Sequence, residues 1–247
     1  MEKIMESRNL KKYFGQAEGR VTALDGVAVD IYEGEFVSIM GPSGSGKSTL
    51  LFALSGMDGI DEGEVLFQNQ SLERMTEEQM ADLRRTQMGF VFQEPTMLKN
   101  LDILDNIILP AYVEKQKEEL IERAKRQMLR MGIEGLESRN ITEVSGGQLQ
   151  RASICRAILH SPSILFGDEP TGALNSKTAD EIMQLFQELN RDGMTILLVT
   201  HDYKVAAKTN RVLFMKDGKI ESEIQFTDEI TEKRIAQINR KMLELEI

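Results

Sequence analysis

The chain has few cysteines, a shortage of positive charge and no long apolar run, and each shortage excludes a class of protein. Cys155 is the only cysteine among 247 residues, so neither an internal disulfide nor a cysteine-rich metal cluster can form, which fits a reducing compartment. Lysine and arginine number 30 against 40 aspartates and glutamates, so no broad basic surface for nucleic acid is expected. The sequence also contains no apolar run of about 18 residues and no N-terminal signal pattern. We therefore expect a cytoplasmic protein that binds no nucleic acid and that reaches a membrane only through a partner.

The most informative stretch is a glycine-rich segment between a predicted strand at residues 36–40 and a predicted helix at residues 47–57. It matches the phosphate-binding loop pattern G-x-x-x-x-G-K-[ST] and consists of Gly41, Pro42, Ser43, Gly44, Ser45, Gly46, Lys47, Ser48 and Thr49. Glycines let backbone N–H groups approach a triphosphate closely, and the helix N-terminus adds partial positive charge. Lys47 would face the β and γ phosphates, and the Ser48 hydroxyl would bind Mg²⁺.

Around this loop, apolar runs and turn signals predict an α/β domain with a helical insertion. Short strands are predicted at residues 27–31, 63–68, 89–93 and 195–200, with a hairpin over residues 211–224. From residue 94 to about 162 the pattern becomes helical, including a helix at residues 115–131. A charged tail follows residue 227 and carries one apolar helical stripe, Ile235, Ile238, Met242 and Leu245. The tail is expected to pack on the domain, and a partner-binding role is the alternative.

Two acidic residues and a histidine follow predicted buried strands. Asp168 and Glu169 end the apolar run 163–167, and adjacent acids at a buried strand end are costly unless they bind something. Given the phosphate-binding loop, Asp168 would hold Mg²⁺ or its water, while Glu169 would orient and deprotonate the attacking water. His201 follows the strand at residues 195–200, where a donor to a γ-phosphate is favoured over a structural histidine.

Three further features carry weaker signals. Gln93 ends a predicted strand, where an amide could accept at a metal or bind its water. Ser145, Gly146, Gly147 and Gln148 precede a helical run, so Ser145 suits an N-cap and the glycines leave N–H groups open to an anion, although a plain capped helix has the same composition. Tyr13 could stack on an adenine ring or be an ordinary half-buried aromatic.

Taken in order and at these separations, the loop at residues 41–49, Gln93, the Ser-Gly-Gly-Gln signature at residues 145–148, Asp168-Glu169 and His201 closely resemble the ATPase subunit of ABC transporters. The signature separates this chain from P-loop kinases, GTPases and helicases. Over residues 3–222 the resemblance implies a P-loop NTPase (RecA-like) core with an N-terminal antiparallel β subdomain and an inserted α-helical subdomain. It implies one domain over residues 1–247: a core lobe at about 1–93 and 163–222, a helical subdomain at about 94–162, and a tail at 223–247.

The resemblance also implies a mechanism and an assembly. Two copies would dimerise head to tail, with each ATP held between the loop of one copy and the signature of the other. Tyr13 would then stack on adenine, Gln93 would link Mg²⁺ to the helical lobe, Glu169 would be the general base and His201 the γ-phosphate sensor. Two departures from the family pattern stand out: Gly172 and Asn175 replace the commoner serine and aspartate, and Val144 replaces leucine. The amide at residue 175 keeps hydrogen bonding and loses the charge that the family's aspartate brings to the contact across the dimer.

Within the family, the segments 19–24, 106–110 and 171–176 resemble the branch that serves macrolide export, lipoprotein release and resistance to antimicrobial peptides. The expected function is ATP hydrolysis that drives a separately encoded membrane permease on the cytoplasmic face of the cell membrane. One alternative is an ATPase that moves a non-transporting membrane partner, as in cell division. A soluble ATPase acting on DNA or ribosomes is disfavoured, because the chain has neither a long coiled-coil insertion nor a second cassette.

Overall fold

The computed structural model describes residues 2–15, 19–112, 117–227 and 229–247. Its strands are β1 (Lys3–Phe14), β2 (Val21–Tyr32), β3 (Phe36–Met40), β4 (Glu62–Phe67), β5 (Gln70–Ser71), β6 (Met88–Phe92), β7 (Ile164–Asp168), β8 (Thr195–Val199), β9 (Arg211–Lys216) and β10 (Lys219–Gln225). Its α-helices are α1 (Lys47–Leu54), α2 (Glu77–Gln87), α3 (Ile103–Ile108), α4 (Lys117–Arg130), α5 (Gly146–Ala157), α6 (Ser176–Arg191), α7 (Tyr203–Ala206) and α8 (Thr231–Leu245).

A six-stranded sheet with the order β10-β9-β3-β8-β7-β6 forms the centre of the molecule. All its strands are parallel except β10, which pairs with β9 as an antiparallel edge. The central strands are apolar on both faces because both faces are covered. In β8, Leu197 and Val199 face a core shared with α1, whereas Ile196 and Leu198 face the core formed with helices α3 to α6.

A second, four-stranded antiparallel sheet, ordered β2-β1-β4-β5, covers the α1 side. Leu50 and Leu54 of α1 share one hydrophobic core with Val65 and Phe67 of β4 and with alternate residues of the central sheet. Together the two sheets and the helical block confirm the predicted fold class. The glycine-rich loop lies where these layers meet, because β3 leads directly into it and α1 begins at Lys47.

Helices α3, α4 and α5 fall within the stretch predicted to be helical. The predicted helix at residues 115–131 is observed as Lys117–Arg130, and its proposed first residues, Lys115 and Gln116, lie outside the described residues. Helix α1 ends at Leu54 rather than near Met57, since Gly56 has φ of 62° and turns the chain out of the helix. No helix within the described ranges is long and apolar enough to cross a membrane.

The C-terminal part matches the prediction closely. Strands β9 and β10 form a hairpin across Asp217 and Gly218, whose φ angles of 46° and 79° are those of a tight hairpin turn. The helix α8 follows, with Ile238 fully buried against a core that includes Met40, Ala206 and residues of β9. The other three residues of the predicted stripe are partly buried in the same core. The expectation that the tail packs on the domain is therefore confirmed.

Candidate active site

Four parallel strands end level with one another and present the predicted site residues at one edge of the sheet. Residue pairing sets Ile39 of β3 beside Val199 of β8, Val199 beside Asp168 of β7, and Asp168 beside Phe92 of β6. The segments that follow carry the glycine-rich loop, His201, Glu169 and Gln93. The carboxyl edge of an open parallel sheet is where ligands of such folds bind.

The glycine-rich loop folds tightly because two of its glycines have no room for a side chain. A Cβ on Gly41 would overlap the carbonyl oxygen of Met215, and one on Gly46, whose φ is 99°, would overlap that of Ala23. The backbone is therefore free to lie close to a ligand. Lys47 Nζ donates to the carbonyl oxygen of Pro42 at 2.8 Å, so the ammonium group lies over its own loop. Burial lowers the pKa of Lys47, and the nearby carboxylates of Glu169 and Asp168 oppose that shift.

Ser48 and Asp168 lie together and form a set of hard oxygen atoms. The Ser48 hydroxyl donates to Asp168 Oδ1 at 2.8 Å. Burial raises the pKa of Asp168 and the hydrogen bond from Ser48 counteracts it, so the carboxylate would be stabilised by a cation. Among the described residues no cluster of three or more His, Cys, Asp or Glu side chains could hold a metal alone. Mg²⁺ usually takes one or two protein oxygens and completes its shell with phosphate and water, so this pair fits Mg²⁺ bound with a nucleotide.

Glu169 and His201 form the second pair of the site. His201 Nδ1 lies 2.9 Å from Glu169 Oε1, and the His201 side chain is 66% exposed. Glu169 has a φ of 47°, which is uncommon for a residue with a side chain. Its backbone is held there because Glu169 N–H donates to Val199 O at 3.0 Å and Gly172 N–H donates to Glu169 O at 2.9 Å. Observed strain of this kind is typical of functional sites.

These groups surround one cavity of about 760 Å³, within the usual range of about 300–1,000 Å³ for small-molecule sites. Its lining combines Lys47, Ser48, Glu169 and His201 with residues of β1 and β2 that motif analysis missed: Phe14, Val21, Thr22 and Ala23. The cavity thus has an ionic end, at the loop and the strand ends, and an apolar end at β1 and β2. A nucleotide has the same division between triphosphate and base.

Tyr13 was predicted to stack on adenine, and this stays a prediction. Phe14, which is 46% exposed, lines the cavity. The ring of Tyr13 is instead covered by the guanidinium of Arg20, at 3.5 Å from the ring centroid. Adjacent residues of a strand point to opposite faces, so only one of the two aromatics can face the cavity. Phe14 is therefore a second candidate for the aromatic platform.

Phe14→Ala is expected to weaken ATP and ADP binding about equally, each by about 5- to 100-fold, because stacking is worth roughly 1–3 kcal/mol per base and does not sense the γ-phosphate. Isothermal titration calorimetry with both nucleotides checks this. Tyr13→Ala is the matched control and should leave both affinities within about twofold. The reverse ranking of the two variants would make Tyr13 the platform.

The structure does not bring Gln93 or the signature to this cavity. The side chain of Gln93 lies against Gly172, where an added Cβ would be 3.1 Å from the Gln93 amide; the glycine that departs from the family pattern therefore leaves room for it. Ser145 caps α5, with Ser145 Oγ accepting from Gln148 N and Gln148 Oε1 accepting from Ser145 N. Ser145 and Gly146 are exposed and Gly147 and Gln148 are partly buried, and the role of the signature at a nucleotide stays a prediction.

Comparison with known proteins gives the family. The family model described as "ABC transporter" matches residues 24–172. The bacitracin export ATP-binding protein BceA of Halalkalibacterium halodurans is 40% identical over 228 residues, which cover 92% of this chain and 90% of BceA. The ABC transporter ATP-binding protein YxdL of Bacillus subtilis is 43% identical over 227 residues, which cover 91% of this chain and 88% of YxdL.

The chain matches only part of another relative. The macrolide export ATP-binding/permease protein MacB of Pasteurella multocida is 36% identical over 240 residues, and these are 97% of this chain but 37% of MacB. Among solved structures, the dimeric ABC transporter cassette MJ0796 superposes with a TM-score of 0.84 at 38% identity, covering 91% of this chain and all of that one. A post-hydrolysis dimer of MJ0796 with ADP and Pi gives a TM-score of 0.83. The chain therefore belongs to the ABC transporter family and is an ABC-type ATPase cassette.

Proposed function

We propose that two copies of this chain bind two MgATP between them and hydrolyse ATP to drive a separately encoded membrane permease. The observation that carries the proposal is the joining of Lys47, Ser48, Glu169 and His201 around one cavity with an apolar end at Phe14. Each residue type suits one part of the reaction. The ammonium group suits the phosphates and the hydroxyl suits the metal ion. The carboxylate suits the attacking water, and the aromatic ring suits the adenine. The experiment is a phosphate-release assay on the purified chain with its permease, in which turnover must require Mg²⁺ and stop with chelator.

The residues divide the chemistry as follows. Lys47 and the loop N–H groups hold the β and γ phosphates, and Glu169 accepts the proton of the attacking water. His201, whose Nδ1 is 2.9 Å from Glu169, holds that carboxylate and donates to the γ-phosphate. Ser48 and Asp168 would hold Mg²⁺, which supplies neutralisation of developing phosphate charge. We further propose that Gln93 binds a water of the metal.

A second copy is proposed to complete each site. Ser145 and Gly146 are exposed and Gly147 and Gln148 are partly buried at the N-terminus of α5, and none of the four lines the cavity of its own subunit. The N-terminus of a helix of this length, with two glycines in its first turn, suits an anion such as the γ-phosphate of ATP bound to the other copy. The dimeric form of MJ0796, at 38% identity, supports this arrangement.

A separate permease is proposed from the relatives. MacB is named an ATP-binding/permease protein and this chain spans 37% of it, whereas BceA and YxdL are named ATP-binding proteins and are matched over about nine tenths of their length. The names of MacB and BceA, which mention macrolide and bacitracin export, support export of a drug or antimicrobial peptide as the driven process. The chain would thereby be held at the cytoplasmic face of the membrane.

The proposed docking surface is a cleft of about 220 Å³ between the central sheet and the helical block. Its lining combines apolar side chains with three arginines: Met57, Met88, Phe90, Phe92, Pro110, Arg84, Arg85 and Arg156. Met57 is 42% exposed, so its side chain is accessible to a partner. A short amphipathic segment of the permease would bury these side chains.

Met57→Glu is expected to reduce co-purification of the permease by at least about tenfold, because it places a charge in the buried centre of the contact. Basal ATP hydrolysis by the soluble chain should stay within about twofold. Leu243→Glu, at an 81% exposed leucine of α8, is the matched control and should keep the permease bound. Equal recovery of the permease with both variants would move the docking surface elsewhere.

A further inference from the structure

A buried glutamine joins the signature helix to two of the strand ends that carry the site. Gln150 lies on α5 and is 1% exposed. Its Nε2 donates to Phe92 O at 2.9 Å and to Pro170 O at 2.7 Å. Phe92 directly precedes Gln93, and Pro170 directly follows Glu169. One amide therefore contacts the backbone beside both residues.

The two carbonyls lie at the end of the ladder between β6 and β7 and just beyond it. The ladder between β6 and β7 runs from Met88 beside Ile164 to Phe92 beside Asp168, and it ends there. Phe92 belongs to the last pair and Pro170 lies two residues beyond Asp168, and a carbonyl oxygen that is buried without a donor is strongly disfavoured. Gln150 Nε2 donates to both carbonyls. The Gln150 Oε1 atom is buried and has no hydrogen-bond partner among the described residues. The side-chain hydrogen bonds of Gln150 to the described residues are therefore made by Nε2.

The turn that Gln150 holds is the turn that sets Glu169. Glu169 has a positive φ, and its carbonyl accepts from Gly172 N–H at 2.9 Å. Gly172 in turn lies against the Gln93 side chain. The segment 169–172 is therefore held between Gln93 on one side and Gln150 on the other, and Gln150 is the contact that belongs to the signature helix.

We propose that Gln150 is a positioning residue that transmits the position of the signature helix to Glu169 and Gln93. Ser145 and Gln150 share α5, so a shift of the signature against a nucleotide moves the Gln150 amide with it. That shift displaces the carbonyls of Phe92 and Pro170 and thereby reorients the Glu169 carboxylate. The inference rests on the proposed ATP hydrolysis. It adds that pairing of two copies around ATP repositions the residue that activates the attacking water.

The test compares Gln150→Leu and Gln150→Met with Ser153→Ala in the full chain. The two apolar replacements keep most of the volume and remove both donors. Ser153 is the matched control, since it lies on the same helix, is 1% exposed, and its hydroxyl has no partner among the described residues. For each folded variant, ATP affinity, kcat, the melting temperature and amide hydrogen exchange of segments 91–94 and 169–172 are measured.

The expected result is a kcat lowered by about 10- to 100-fold in the Gln150 variants, since a misplacement of about 1 Å costs this much. ATP affinity should stay within twofold, exchange in segments 91–94 and 169–172 should be faster, and Ser153→Ala should behave as the unchanged chain. If exchange and kcat are unchanged, or if neither Gln150 variant folds, Gln150 is a structural residue and the proposal is wrong. Failure of the unchanged chain to hydrolyse ATP would instead contradict the proposed function, and the exchange comparison would still test Gln150.

Discussion

Lys47→Ala is expected to weaken ATP binding by at least about 100-fold, because hydrogen bonds to charged groups contribute roughly 1.5–3 kcal/mol each and Lys47 would make several to the phosphates. Among the described residues that line the cavity, Lys47 carries the only permanent positive charge. Calorimetric titration of the purified chain with MgATP measures the effect. Lys233→Ala, at an exposed lysine of α8, is the control for a lost surface charge. An ATP affinity unchanged by Lys47→Ala would show that the loop does not hold the phosphates.

Glu169→Gln is expected to lower kcat by about 10²- to 10⁴-fold, the usual contribution of a general base. The amide keeps the shape of the side chain and can still hydrogen-bond to His201, but it cannot accept the proton of water. ATP affinity should stay within about threefold, so the loss appears in kcat. Phosphate release and calorimetry separate the two quantities, and Glu188→Gln on the exposed side of α6 is the matched control. Substantial turnover by the Glu169 variant would assign the base to another residue.

The parts of the site that lie at strand ends were predictable from the sequence. Apolar runs such as residues 163–167 identify buried parallel strands, and parallel strands end together, so Asp168, Glu169 and His201 had to lie near the glycine-rich loop. The N-cap role of Ser145 was equally predictable, because capping depends on a side chain and its own next turn. Local chemistry and strand direction are enough for these residues.

The residues that sequence reasoning missed depend on orientation and on distant backbone. Whether Tyr13 or Phe14 faces the cavity is decided by the pleat of β1, and the register with β2 shifts between Lys12 and Tyr13, so alternation could not be counted along the strand. Gln150 was missed for a different reason. Its partners are main-chain carbonyls far away in sequence, and no side-chain pattern marks a carbonyl. The boundaries of the two lobes stay a prediction.

Gly172 and Asn175, the departures from the family pattern, acquire a local explanation. Gly172 leaves room for Gln93, and a serine there would press on its amide. Asn175 Oδ1 accepts from Thr178 N at 3.0 Å and so caps α6, which aspartate would do equally well. Neither contact requires the missing charge. An effect of Asn175 across a dimer would therefore be separable from its role in the fold.

The most direct test of the shared-site account is the molar mass of the Glu169→Gln chain with and without MgATP. Size-exclusion chromatography with light scattering should give a monomer without nucleotide and a dimer with it, because a chain that binds ATP without hydrolysing it cannot reopen. Adding Ser145→Arg to the same chain should return the monomer, since the arginine places bulk and charge at the shared phosphate. The membrane permease is included where the isolated chains pair weakly. A dimer that forms with ATP in both the single and the double variant would contradict a nucleotide shared between the loop of one copy and the signature of the other.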